Sequence, residues 1–132
     1  MEKRTQERRG PSGGSMEVPP SACARTYTVP GRTVVELSDE IDIVVAESVT
    51  SHLDAATAGD RPQVVVDLRR VTFIDCSSLG LLCRARRRTL ERGGTLALIC
   101  VDPRVLRMMR LVGLLSAFVI LSTVPEHVQD SP

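Results

Sequence analysis

The sequence predicts one α/β domain built on a mixed β-sheet, its central strands parallel, packed against helices. Three observations predict it. Beyond residue 24 the strand and helix signals follow the order β-β-α-β-α-β-α-β, and strands alternating with helical segments mark parallel βαβ units. The run Val64-Val65-Val66 is apolar at every position, as in a central strand covered on both faces rather than a half-exposed one. A chain of 132 residues that is 42% apolar is long enough for one hydrophobic core and too short for two.

Residues 1–24 combine charge with Gly10-Pro11-Ser12-Gly13-Gly14-Ser15 and Pro19-Pro20 and show no apolar period. Such a segment cannot offset the entropy of ordering, so a disordered tail is expected there, with Met16 an alternative start. Residues 25–29 and 33–37 are β-branched runs on either side of Pro30-Gly31, a turn dipeptide, and read as a hairpin. Ala46, Val49, Leu53 and Ala56 recur with the period of an amphipathic helix, which residues 59–62, Gly-Asp-Arg-Pro, bring to an end. The next strand holds the valine run. Residues 77–92 form a helix stopped by Gly93-Gly94, with Leu79, Leu82, Cys83, Arg86 and Leu90 marking its inner side and Arg84, Arg87, Arg88 and Glu91 its outer side. Residues 95–101 are a strand. Asp102-Pro103 opens a helix, Asp as N-cap and Pro at the first helical position. Val105, Leu106, Met109 and Val112 form its inward stripe, Gly113 stops it, and residues 118–121 are the last strand. The folded domain is placed at 25–124, with 125–132 a C-terminal tail. The stretch from Val64 to Val101 has the length of a right-handed crossover.

Composition narrows the function. Aromatic residues are 2% of the chain, with no Trp, so the core is aliphatic and base-stacking platforms for single-stranded nucleic acid are excluded. The formal net charge is +1, which draws neither DNA nor an anionic membrane. Cys23, Cys76, Cys83 and Cys100 include no CxxC pair, and only His52 and His127 supply imidazole, so neither a zinc site nor another metal or cofactor is expected. The N-terminus lacks the apolar region of a signal peptide and no apolar run nears the ~20 residues of a membrane span. A soluble cytoplasmic protein with reduced thiols is the expectation.

The most informative stretch runs from Val64-Val65-Val66-Asp67-Leu68 to Phe73-Ile74-Asp75-Cys76-Ser77-Ser78-Leu79-Gly80. A buried strand leads, through small polar residues, into a helix whose free N–H groups and dipole favour an anion. This pattern resembles the signature of STAS domains, specifically the bacterial anti-sigma-factor antagonists, which read approximately Phe-Ile-Asp-Ser-Ser-Gly-Leu-Gly. A second family element, Leu-x-Gly-Glu-Leu-Asp, is matched by Leu37-Ser38-Asp39-Glu40-Ile41-Asp42. Gly93-Gly94 and the helix closing at Gly113-Leu114 also look like the family, so the resemblance spans residues 25–124.

The resemblance implies a non-enzymatic binding protein. Its partner would be an anti-sigma factor that is also a serine kinase of the histidine-kinase-like ATPase type, bound so that a sigma factor is freed. Phosphorylation at the start of the second helix would release the partner and a phosphatase would reset the cycle, with no direct contact to nucleic acid or membrane. Asp39, Glu40, Asp42, Asp75, Cys76, Ser77 and Leu79 are the implied partner-binding residues. The chain departs from the family where it matters most. The acceptor position is Cys76, which leaves Ser77 as first candidate acceptor, Ser78 as second, and a constitutive antagonist without phosphorylation as a third reading. Asp39 replaces a Gly that serves a turn of positive φ, a conformation Asp tolerates better than most residues. Val44-Val45 replaces a capping Thr, so the first helix is expected to begin late.

Plainer readings stand beside these. Asp75 and Asp42 suit helix caps, Asp67 a turn at a strand end, Cys83 and Cys100 core positions, and the arginines at 84, 86, 87, 88 and 92 a solvated face or a patch for an acidic partner. Cys76 as an enzymatic nucleophile or redox sensor would need a lowered thiol pKa, and the enzyme a base from His52 or His127. A STAS scaffold or sensor that self-associates or binds a small ligand is the alternative function.

Overall fold

The structure, a computed structural model, describes residues 18–125. Its elements are β1 (Ala24–Val29), β2 (Arg32–Ile41), α1 (Ala46–Ala56), β3 (Gln63–Ile74), α2 (Cys76–Glu91), β4 (Thr95–Ile99), α3 (Pro103–Leu111), a short 3-10 turn (Leu115–Ala117) and β5 (Val119–Leu121). The sheet order is β1-β2-β3-β4-β5. β1 and β2 form the expected antiparallel hairpin through Pro30-Gly31, and β2, β3, β4 and β5 are mutually parallel.

Strand alternation splits the core in two. Val35, Leu37, Val64, Val66, Leu68 and Leu98 face the helices, meeting Val49 and Leu53 of α1, Leu79 and Leu82 of α2, and Val105 and Met109 of α3. On the opposite face Val34, Val65 and Ile99 form a smaller cluster, flanked by Tyr27, Val29, Leu121 and Val124. The valine run is thus buried on both sides, as its composition predicts, and Phe118 is the one aromatic side chain among the described core residues.

Several expectations are corrected. α2 buries Ser78, Leu79, Leu82, Ala85 and Thr89, whereas Leu90 is 50% exposed. The helix lies close to the sheet, where Ala and Thr fit, and Thr89 satisfies its hydroxyl on the Ala85 carbonyl at 2.8 Å. Arg84 and Arg88 do not form a free solvated face, because both reach Asp54 of α1 and Arg88 Nε also donates to the Thr57 hydroxyl at 2.9 Å. Val112 of the α3 stripe is exposed. Asp67 is not at a strand end. It lies within β3, 2% exposed, and accepts two bonds from the Arg69 guanidinium at 2.8 and 3.0 Å. Burial pushes its carboxyl up, but Arg69 outweighs this and holds it below the ordinary carboxylate value.

The packing also begins before residue 25. Cys23 is buried, and residues 19–23 are hydrogen-bonded to α1 and β2. Residues 1–17 of the expected N-terminal tail, and the C-terminal tail after Pro125, lie outside the described residues.

Gly93 and Gly94 close α2 and return the chain to the sheet. Gly93 has a φ of 76°, and a Cβ on Gly94 would stand 2.0 Å from the Pro62 carbonyl oxygen. That carbonyl accepts from Thr95 N at 2.8 Å, so β4 starts against the residue that precedes β3.

Candidate functional site

β2 and β3 outrun the rest of the sheet. β4 pairs with β3 only from Gln63 to Asp67, whereas β2 stays paired with it to Ile41↔Ile74. Asp75 N then donates to the Ile41 carbonyl at 3.1 Å. The two sequence elements, residues 37–42 and 73–79, therefore finish side by side.

Two register shifts precede this end, one between Glu36 and Ser38 and one between Asp39 and Glu40, each adding a residue on the β3 side. Asp39 has a φ of 67°, the left-handed conformation expected at its position and available to Asp at modest cost. It and Glu40 are exposed. Asp42 caps the following turn: its Oδ1 accepts from Val44 N at 3.0 Å and its carbonyl from Val45 N at 3.1 Å. α1 begins only at Ala46, and Val45 in the N-cap position makes no side-chain cap. The turn leaves Ile43 76% and Val44 84% exposed.

Asp75 occupies the N-cap of α2 in extended conformation. Its Oδ1 accepts from Ser78 N at 2.8 Å and from the Ser77 hydroxyl at 2.9 Å. These bonds stabilise the carboxylate: the Ser78 N–H foremost, with the Ser77 hydroxyl and the backbone of Ile43, holds it below its ordinary pKa. One carboxylate oxygen thus both caps the helix and accepts from the Ser77 hydroxyl. Cys76 and Ser77 are exposed. Ser78 is 1% exposed with no hydrogen-bond partner for its hydroxyl. Leu79, 2% exposed, fastens α2 to the core and offers no surface.

The residues that sequence reasoning missed are apolar. Val44, next to Ile43, and Phe73, two residues before Asp75 and 44% exposed, lie in the same two converging segments. Ile43 and Val44 stand ahead of the α1 stripe and belong to no inward face, a signal present in the sequence. Phe73 shares its parity with buried Val71, and only the extra residue at Thr72 in the β2–β3 ladder turns it outward.

Cys76 has no imidazole at its service among the described residues. His52 is fully buried, with Nδ1 2.6 Å from the Thr26 hydroxyl and Nε2 3.1 Å from the Pro19 carbonyl, and His127 lies outside the described residues. Cys83 packs against the core. Cys100 is buried, and burial pushes its thiol pKa up. Among the described residues no His, Cys, Asp and Glu side chains group in threes as metal ligands would, and no helix is long and apolar enough to cross a membrane.

Residues 24–130 match the family model described as the STAS domain. Over 85 residues the chain is 29% identical to a Paenibacillus polymyxa protein named anti-sigma F factor antagonist, covering 64% of this chain and 73% of that protein. The crystal structure of an anti-sigma factor antagonist from Mycobacterium paratuberculosis is similar at TM-score 0.69 and 27% identity, over 76% of this chain and 86% of that one. An anti-sigma-factor antagonist (STAS) domain protein from Planctomyces limnophilus is similar at TM-score 0.69 and 25% identity, over 78% and 92%.

Proposed function

The chain belongs to the STAS domain family, and on that premise we propose that it is an anti-sigma-factor antagonist, a cytoplasmic binding protein rather than an enzyme. It docks an anti-sigma factor of the histidine-kinase-like ATPase type on the face made by Asp39, Glu40, Asp42, Ile43, Val44, Phe73, Asp75, Cys76 and Ser77. Phosphorylation of Ser77 then dismisses that partner, and a phosphatase restores the face. The observation that carries this reading is the exposed Ser77 hydroxyl, held 2.9 Å from Asp75, at the sheet end where the segments bearing exposed Ile43, Val44 and Phe73 finish side by side. Exposed aliphatic and aromatic groups next to an orientable hydroxyl suit a protein partner that is also a kinase.

Ser77 is preferred to Ser78 because the Ser78 hydroxyl is sealed, and to Cys76 because a serine kinase transfers phosphate to oxygen. A phosphate on Ser77 adds about −1.5 to −2 charges at pH 7. It also removes the proton that Ser77 gives to Asp75, so the two groups change from donor and acceptor to like charges. The helix N-terminus tolerates the anion, so the domain stays folded. The modified side chain swings away from Asp75 into the face where the partner sits. Each ~1.4 kcal/mol of repulsion and lost desolvated contact weakens binding tenfold, and two or three such increments release a partner.

A second reading has one observation in its favour: Cys76 stands where the family's acceptor serine stands, which suits a constitutive antagonist. Incubation with an ATP-binding anti-sigma kinase and ATP, followed by intact mass and peptide mapping, tests both. One phosphoryl group on Ser77, absent in Ser77→Ala, is the expected result. Tight binding in ATP without a mass gain supports the constitutive antagonist. Failure to bind any kinase of this type refutes both and leaves a STAS scaffold or sensor.

A further inference from the structure

We propose that residues 19–23 form a strap that braces the docking face from behind, and that His52 is its latch. The consequence for binding rests on the docking reading above, whereas the strap itself stands on geometry alone.

His52 is sealed within the fold at 0% exposure. A carbonyl only accepts, so Nε2 must donate to the Pro19 carbonyl at 3.1 Å, while Nδ1 pairs with the Thr26 hydroxyl at 2.6 Å. One side chain of α1 thereby ties the strap to β1. A turn earlier on α1, the Ser48 hydroxyl donates to the Ser21 hydroxyl at 2.8 Å. Ser21 N donates to the Ala24 carbonyl at 2.9 Å, and Ala24 N returns to the Ser21 hydroxyl at 3.1 Å, closing the strap into β1.

The strap's far end reaches the face. Ser38 N donates to the Cys23 carbonyl at 2.9 Å and its hydroxyl to the Ala22 carbonyl at 3.4 Å. Ser38 immediately precedes Asp39, whose left-handed backbone and register shift set up residues 40–45. Here the strap supplies bonds on one side of β2 while β3 holds the other. Toward its near end, Val18 and Pro20 wall a groove that Thr26, Tyr27, Ala55 and Ala56 also line. A strap fastened at points and open between them can lift as a unit without unfolding the sheet. Lifting it frees Ser38, loosens the bulged segment, and with it the turn that presents Ile43 and Val44.

The test uses the full chain with no partner. Thiol labelling mapped by peptide mass reads Cys23, in the strap, against Cys100, buried beneath the sheet's end, and amide exchange reads Ser38, Val44 and Val45. His52→Asn keeps an acceptor toward Thr26 but cannot reach Pro19. It should raise Cys23 labelling and Ser38 exchange about tenfold or more, the effect of one lost buried hydrogen bond, and leave Cys100 unchanged. His52→Gln, whose amide reaches the Nε2 position, should restore much of the protection. Ser48→Ala, on the accessible side, should give a smaller rise in the same sites. Val44 and Val45 should exchange faster together with Ser38. Equal acceleration of Cys23 and Cys100 would mean the strap has no independent opening and would overturn the proposal. So would unchanged Cys23 labelling in both His52→Asn and Ser48→Ala, or a freed Ser38 with Val44 and Val45 as protected as before. None of these readouts involves a kinase or phosphate, so failure of the docking reading is visible separately.

Discussion

Gly94 and Gly80 are both glycines of the α2 region, and alanine at the two positions should act in opposite directions. At Gly94 an added Cβ meets the Pro62 carbonyl oxygen at 2.0 Å, its nitrogen at 2.6 Å and its carbonyl carbon at 2.8 Å. Ordinary contacts need about 3.4 Å or more, so the backbone must part by more than about 1 Å, and overpacking of that kind costs about 1–3 kcal/mol. The Pro62 carbonyl cannot retreat freely, because it accepts from Thr95 N at 2.8 Å. Losing that bond adds about 1 kcal/mol, while the stiffer unfolded chain returns about 0.5–1 kcal/mol. The net loss is about 1–3.5 kcal/mol, a sizeable share of the ~5–15 kcal/mol of a small domain. At Gly80, inside α2, an added Cβ meets nothing within 4 Å, so Gly80→Ala should gain about 0.5–1 kcal/mol from helix propensity. Urea unfolding followed by far-ultraviolet circular dichroism measures both without need of a tryptophan. A Gly94→Ala midpoint within about 0.5 kcal/mol of the parent would refute the close approach of β4's start to Pro62.

Three further outcomes are expected. Asp39→Gly should stabilise the domain by about 0.5–1 kcal/mol, because the backbone at φ 67° no longer strains a Cβ, and Asp39→Val should destabilise it by about 1–2 kcal/mol. Urea midpoints decide this pair. Replacing Ile43 and Val44 together by Ser should weaken an anti-sigma partner about tenfold or more in a calorimetric titration while leaving the thermal midpoint unchanged or higher, since neither side chain is buried. Asp67 is held below its ordinary pKa by Arg69 against the opposing effect of burial. Its stabilisation is therefore complete above the ordinary value of about 3.9 and is lost as pH falls through the lower folded value. Asp67→Asn should flatten the acid side of the stability profile below about pH 5, and an unchanged slope would contradict the Asp67–Arg69 pairing.

Much of the fold is legible in the sequence because its signals are local. Pro30-Gly31 sets the hairpin, Asp102 caps α3 by accepting from Arg104 N at 2.8 Å, and the valine run announces a doubly covered strand. Where reading failed, a partner distant in sequence had changed the meaning of a residue. Asp67 after three valines looks like the end of a strand. Arg69 shares its face two residues on, supplies the counter-charge, and lets the strand continue. His52 follows the polar side of an α1 stripe drawn through Leu53, yet Thr26 and Pro19 satisfy both ring nitrogens and allow it inside. The same two bonds hold residues whose composition reads as a tail. In α2 the large side chains mislead, because a helix pressed against a sheet chooses Ala85 and Thr89 over Leu90.

The candidate site divides along the same line. Its polar members are legible because their chemistry is local: Asp75 must sit three residues before the N–H it caps, and Asp42 two before the N–H it accepts. What brings the two groups together is the parallel pairing of β2 with the far end of β3, a contact between residues about thirty apart in the chain. The apolar rim depends on that pairing more finely still. Thr72 is the surplus residue opposite the Asp39–Glu40 step, and it reverses the face on which Phe73 lies. A regular ladder that kept Thr72, pairing it with Glu40, would instead turn Phe73 onto the buried face of Val71. That register would also shift Asp75 and α2 by one residue relative to residues 40–44. The surface that presents Ser77 thus depends on a defect in the ladder, and Asp39, at the matching step of β2, is the residue whose backbone accommodates it.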